Sequence, residues 1–390
     1  MRICLVVNAF PRENEMFILN KVEALAARGH KVHVVCSSYL VKEDAFIKYN
    51  LSSANIIIHP ISVPVKLSDY IVDCITKPGL FFKSFSFNKK KFKSAYVLNY
   101  YVRFFNKIRC DLLHFEFPNI PLNLFPALDK LPGRKIVSCR EVTGKYFPGT
   151  DESEIRNWAI ILNGVKLIHC VSNDVRNSIL PYCNNPEKAF VNYPGIDVQS
   201  YSITRSHDNR GGYQFLSFGK ISSRNNYSAS LYAIKLLVEQ GYKIHWSIVG
   251  EASYLHELKI EISKLNLQQN VILLGKRDKE DIKGLSERCD IYLLPGTGNG
   301  FPYDVVEAMA MQLAVVSTQC SGISDIIESG KDGFVCADND PRAIADTIIP
   351  LLNNNDLLKS IGIAAKAKVA HKFSLMNEID IFEKLYRSIL

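Results

Sequence analysis

Short apolar segments alternate with amphipathic helical ones along the whole chain, and they do so in two successive series. The first series places strands at Arg2–Val7, Lys31–Cys36, Ala54–His59, Leu112–Phe115, Lys135–Cys139, Leu167–Val171 and Ala189–Asn192. The second places them at Gln214–Phe218, Ile244–Val249, Val271–Leu274, Ile291–Leu294, Ala314–Thr318 and Phe334–Ala337. Helical segments fall between, such as Glu15–Ala27, which Arg28-Gly29-His30 closes with a glycine just past its last turn. Parallel strands need crossover helices, so this alternation predicts an α/β fold with helices on both faces of each sheet. At 390 residues the chain is too long for one ordinary core, which agrees with two doubly wound, Rossmann-like domains. The polar, glycine-ended stretch at 199–212 reads as the linker between domains spanning 1–198 and 213–373.

Two such domains joined by a hinge are expected to face each other across a cleft and to hold ligands at the carboxyl ends of their strands. In the second series four strand ends carry glycine. Phe218 is followed by Gly219-Lys220-Ile221-Ser222-Ser223-Arg224-Asn225-Asn226, Val249 by Gly250-Glu251, and Leu274 by Gly275-Lys276-Arg277. The fourth end is Leu294-Pro295-Gly296-Thr297-Gly298-Asn299-Gly300-Phe301-Pro302, after which a helix resumes and carries Glu307. Glycine lets a backbone approach a ligand closely, a helix start attracts anions, and Lys220 and Arg224 offset negative charge. The four turns together predict one nucleotide-diphosphate site.

Other features limit the partners. Ten cysteines are scattered singly with no CxxC pair, so they read as reduced core thiols, and the expected compartment is the cytoplasm. Met1–Asn8 is interrupted too soon to be a signal peptide, and no apolar run has the length of a bilayer span. Between Cys74 and Cys110 lie nine Lys or Arg and no acid, mixed with ten Phe and Tyr. Residues 77–109 are therefore either an anionic-membrane contact on the inner face of the plasma membrane or a solvated basic face whose aromatics are core. No nucleic-acid module is present, so nucleic acid is not an expected partner.

The motifs together resemble a family. Phe10-Pro11, Phe17-Ile18-Leu19-Asn20, Cys170-Val171-Ser172 and Asn192-Tyr193-Pro194-Gly195-Ile196-Asp197 are similar to the amino-terminal half of the retaining GT-B glycosyltransferases. The branch they resemble is that of bacterial exopolysaccharide and lipopolysaccharide hexosyltransferases. Glu307-Ala308-Met309-Ala310, Ser321-Gly322-Ile323 and Gly330-Lys331-Asp332-Gly333-Phe334-Val335 resemble that family's donor-site core. The resemblance implies a helix over 374–390 that returns to the first domain. It implies that Glu307 holds ribose hydroxyls, that Gly300, Phe301 and Pro302 line the donor sugar and phosphates, and that Lys220 contacts the diphosphate. Gly275, with Lys276, falls where relatives hold the base; Gly219 and Gly250 complete the donor turns. Two positions depart from the family pattern: the first glutamate of its pair is Asn299, and its lysine falls on Asn225 beside Arg224.

The expected activity is metal-independent, retaining transfer of a hexosyl unit from a nucleoside diphosphate sugar to a glycan or lipid-linked acceptor, without a cofactor. Lys220, Arg224, Glu307 and Asn299 are expected to carry the chemistry. Acceptor contacts are expected from Pro11, Asn14, Glu15, His114, Glu116 and Arg140. A non-catalytic sugar-nucleotide-binding or scaffold relative, favoured by Asn299 and Asn225, and a nucleotide-sugar epimerase are the alternatives.

Overall fold

The computed structural model describes residues 1–12, 15–37, 53–61, 89–141, 152–204, 211–221, 225–251, 254–296, 300–336 and 340–390. By its internal contacts the chain divides into two units. One comprises Met1–Val171, Val175–Asn192 and Ile379–Leu390, and the other Ser172–Asp174 and Tyr193–Glu378. The final helix, Leu375–Ser388, contributes its residues from Ile379 onward to the first unit.

The first unit holds a sheet of β1 (Arg2–Val6), β2 (Lys31–Ser37), β3 (Ile56–Ile61), β4 (Leu112–Phe115), β5 (Arg134–Cys139), β6 (Leu167–Cys170) and β7 (Ala189–Val191). Their spatial order is β3-β2-β1-β4-β5-β6-β7, every pair parallel. Apolar residues fill β1 after Arg2 and β4 apart from His114, and all of these residues but Arg2 are buried. The helix Met16–Ala27 presents Ile18, Leu19, Val22, Leu25 and Ala26 to the core, and Gly29 ends it at φ +80°. Within the basic segment Phe105 is buried and Phe104 packs edge-on against His59, whereas Arg103, Lys107 and Arg109 are exposed. This arrangement accounts for these aromatics as packing and for these cations as surface.

The second unit holds β8 (Tyr213–Phe218), β9 (Ile244–Val249), β10 (Val271–Gly275), β11 (Ile291–Leu294), β12 (Ala314–Ser317) and β13 (Phe334–Val335). Their order is β10-β9-β8-β11-β12-β13, again all parallel. Alternate residues feed two separate cores: Ile291 and Leu293 join one, Tyr292 and Leu294 the other. β11, buried on both faces, reads as an unbroken apolar run.

In each sheet the chain reverses direction of growth once, between β1 and β4 and between β8 and β11. Ligands of open α/β sheets bind outside the strand carboxyl ends at such a reversal. The loops that follow β1 and β4 carry Pro11 and Glu116, and those that follow β8 and β11 carry Lys220 and Gly300.

Candidate active site

In the second unit three strand ends are laced together by backbone. Gly219, at φ +130°, donates its N–H to the Val249 carbonyl at 3.1 Å, and Gly250 donates to the Gly275 carbonyl at 3.0 Å. A Cβ on Gly250 would lie 1.9 Å from the Gly219 carbonyl oxygen, so no larger residue fits without moving that turn. Lys220, next in the chain, is exposed, as is Lys276 after β10. Arg224 and Asn299 lie outside the described residues. Asn225 accepts the Tyr227 N–H at its carbonyl, just before the helix Tyr227–Glu239 that the Asn226 side chain caps.

The helix Tyr303–Ala310 follows Gly300, Phe301 and Pro302. It meets the β8 turn directly: a Cβ on Gly219 would lie 3.0 Å from Asp304 Oδ2. Glu307 is one turn further along the same helix, so the β8, β9 and β10 turns and Glu307 share one end of the sheet. Gly300 is bracketed by Gly322, whose Cβ would lie 2.3 Å from the Gly300 carbonyl. Phe301 is half-buried between Tyr193 and Phe373, with ring centroids 5.9 and 6.0 Å away. Its side chain is thereby committed to packing, which leaves its backbone as the part able to face a ligand.

Sequence reasoning missed four side chains here. The Tyr292 hydroxyl donates to Asp304 Oδ2 at 3.1 Å and reaches the Phe218 carbonyl at 3.0 Å. Burial pushes the Asp304 carboxyl up to about 6, against the bond from Tyr292. The Tyr201 hydroxyl donates to Glu307 Oε1, and Lys279 Nζ stands 3.8 Å from the Tyr201 ring centroid. Burial likewise pushes Glu307 up to about 7; Asp304 adds to the rise, while Tyr201 and Lys279 oppose it. The spacing of Asp304 and Glu307 on one helix was the available signal. Tyr201 lies 106 residues from Glu307 and gave none.

In the first unit the structure corrects two expected acceptor contacts. His114 and Glu116 are fully buried. Glu116 Oε1 takes a bond from Lys21 Nζ at 2.6 Å and Oε2 one from Arg140, both carboxylate oxygens being occupied. Burial favours its neutral form, but Lys21, His114 and Arg140 outweigh that and hold the carboxyl well below its usual range. His114 Nδ1 lies 2.7 Å from the Tyr386 hydroxyl, and Nε2 lies 2.8 Å from Ser138 Oγ. Ser138 Oγ is 2.7 Å from His169 Nδ1, and His169 Nε2 is 2.7 Å from the Asn192 carbonyl. That carbonyl can only accept, so a single proton order satisfies the chain: Tyr386 to His114, His114 to Ser138, Ser138 to His169, His169 to Asn192. Both imidazoles are neutral, burial pushing His114 down to about 3.

Among the other expected contacts, Arg140 is almost enclosed, its guanidinium 4.3 Å from the Phe17 ring centroid. Pro11 follows a cis Phe10–Pro11 bond and is half-buried. Glu15 bonds Arg12 at 3.0 Å through Oε1, whereas Oε2 is buried and has no hydrogen-bond partner among the described residues. Asn14 lies outside the described residues. Glu15 is thus the one carboxylate of the expected set with acceptor capacity to spare.

The chain matches two family models in tandem: Glycosyltransferase Family 4 over residues 15–200 and Glycosyl transferases group 1 over residues 203–368. The chain belongs to the GT-B glycosyltransferases. The amylovoran biosynthesis glycosyltransferase AmsK of Erwinia amylovora is 25% identical over 400 residues, covering 96% of both chains. The putative colanic acid biosynthesis glycosyltransferase WcaL of Salmonella typhimurium is 24% identical, again over 96% of both. Among solved structures, Anabaena Alr3699/HepE in complex with UDP superposes over the whole of both chains with a TM-score of 0.77 at 17% identity. The lipopolysaccharide outer core galactosyltransferase WaaB does so with a TM-score of 0.71 at 14% identity. For a GT-B glycosyltransferase, the glycine turns and Glu307 of the second unit lie where the sheet topology directs a ligand.

Proposed function

We propose that this glycosyltransferase transfers a hexosyl unit from a nucleoside diphosphate sugar to a glycan or lipid-linked acceptor in surface polysaccharide synthesis, with retention at the anomeric carbon. One observation carries the proposal: the turns at Gly219, Gly250 and Gly275 converge with Glu307 at a single end of the second sheet. Relatives named for amylovoran and colanic acid biosynthesis support the polysaccharide class, and fold neighbours in complex with UDP and UDP-glucose support the donor class.

Transfer requires the departing diphosphate to be stabilised and the acceptor oxygen to be held. The glycine turns let the diphosphate come close to the backbone, Lys220 supplies an exposed cation, and Glu307 accepts bonds from the nucleoside's hydroxyls. No metal enters this assignment. On the first unit Glu15, whose Oε2 has no hydrogen-bond partner among the described residues, is the group we assign to an acceptor hydroxyl. Cytoplasmic residence with the 77–109 segment against an anionic membrane would bring the enzyme to lipid-linked acceptors. Among the described residues no helix is long and apolar enough to cross a membrane.

The test is turnover of a panel of UDP, GDP and ADP sugars with a glycan acceptor, with and without EDTA, and NMR of the product's anomeric configuration. Release of a nucleoside diphosphate with retention, undiminished by EDTA, is expected. An inverted product, or interconversion of the donor sugar without transfer, would overturn the proposal.

A further inference from the structure

We propose that Tyr201 is the positioning residue of the donor site: its hydroxyl commits one oxygen of Glu307 to the protein and presents the other to the paired hydroxyls of the nucleoside. This assignment rests on Glu307 serving the donor, as proposed above.

The geometry supports it in three ways. The Tyr201 ring is 7% exposed and packs in the core with Ile196, Leu216, Phe218, Val305 and Met309, so its hydroxyl is delivered from a fixed ring. The short turn that carries it, Val198–Tyr201, is itself pinned: Asp197 accepts the Gln199 N–H at 3.2 Å and the Ser200 hydroxyl donates to the Asp197 carbonyl at 2.8 Å. Lys279, the first residue of the helix Lys279–Ser286, bonds Ser200 Oγ at 2.8 Å while its charge lies over the ring. A cation over a phenol face draws electron density from the ring and makes the hydroxyl a better donor.

The bond falls on Oε1, and Oε2 accepts no hydrogen bond from the described residues. A carboxylate free to rotate would offer a hydroxyl pair many orientations; one anchored oxygen fixes the plane of the group before the ligand arrives. The same bond favours the ionised form, the one able to accept from both hydroxyls. The other groups bearing on Glu307 are Asp304 and Lys279, and Tyr303 and Asp197 bear on Tyr201.

The test compares the full-length wild type with Tyr201→Phe and Glu307→Gln, using UDP-glucose as probe, because its pyrophosphate diester does not titrate between pH 6 and 9. Calorimetric Kd is measured across that range, with donor KM and kcat at pH 7.5. In the wild type, affinity is expected to rise as pH passes through about 7 and then level off. Tyr201→Phe should weaken binding about fivefold to tenfold at pH 7.5, the size of one typical net hydrogen bond. Its midpoint should move to higher pH, donor KM should rise and kcat should stay within about twofold. A Tyr201→Phe protein whose midpoint matches the wild type, whatever its thermal stability, overturns the positioning role. If Glu307→Gln binds UDP-glucose as the wild type does, the donor assignment of Glu307 itself fails, and the inference fails with it.

Discussion

Lys21 and Glu116 lie 2.6 Å apart, and neither side chain is exposed to solvent. The lysine projects inward from the first helix, and the carboxylate follows β4, where it also meets Arg140. Removing one member of such a pair leaves a charge buried without compensation. Lys21→Met should lower stability by about 3–5 kcal/mol, and Glu116→Gln by a similar amount. The two losses should not add in the double variant, which denaturant unfolding of all three proteins would show. Additive losses would mean that the pair contributes nothing as a pair.

The neutral histidines of the first unit make its stability fall in mild acid. Burial lowers the native pKa of His114 from about 6.5 to about 3. Between those values the unfolded chain binds more protons, so the stabilisation is complete above about pH 6.5 and is lost as pH falls towards 3. Thermal unfolding at pH 7.5, 6.0 and 5.0 should show this slope. His114→Gln should be less stable at pH 7.5 yet lose less on acidification; an unchanged slope would contradict the assignment.

Glu307 carries the opposite sign. Its native pKa is raised from 4.5 to about 7, so the folded state holds the proton more tightly than the unfolded one. That favourable contribution is full at low pH and is lost as pH rises from about 4.5 through 7. At pH 8, Glu307→Gln should therefore be more stable than the wild type by on the order of 3 kcal/mol, an advantage that disappears below about pH 4.5. Its affinity for a sugar nucleotide should fall by tenfold or more. Site residues held at a cost to stability commonly behave this way. Differential scanning calorimetry at the two pH values checks the first statement and ligand titration the second.

The glycine turns predict a contrast. In Gly250→Ala the new Cβ would meet the Gly219 carbonyl at 1.9 Å, and the backbone of both turns must move. We expect a loss of about 2 kcal/mol or more together with lost donor binding. Gly284→Ala places a Cβ in open space inside the helix Lys279–Ser286 and should stabilise by about 0.5–1 kcal/mol with donor binding intact. Melting curves of the two variants with and without UDP-glucose separate these outcomes.

Much of the fold was legible because parallel strands buried on both faces announce themselves as apolar runs. Glycine at a strand end marked the turns for the same reason that it fits them: Gly219, Gly275 and Gly300 all adopt positive φ. The carboxylates after β1 and β4 were harder. Leu112-Leu113-His114-Phe115 alternates in a way that does not reveal whether His114 faces solvent, and the partners that bury it are distant. Tyr386 is 272 residues away, and Lys21 is 95 residues from Glu116. A lysine inside an amphipathic helix ordinarily reads as surface, so nothing local marked Lys21 as a core ion. Tyr201 was hidden within a segment whose polarity marked it as linker, although its ring belongs to the second unit's core.

The most direct test of the account is the Kd of whichever sugar nucleotide binds the wild type best, measured for Glu307→Ala and for Glu251→Ala. Glu251 follows the β9 turn and is exposed, and its backbone carbonyl is the atom that accepts from Ile221. Glu307→Ala should lose about tenfold to a hundredfold in affinity while Glu251→Ala stays within about twofold, the scale expected when a charge-assisted hydrogen bond to a ligand is removed. Equal losses in the two variants, or none in Glu307→Ala, would contradict a donor site built around Glu307.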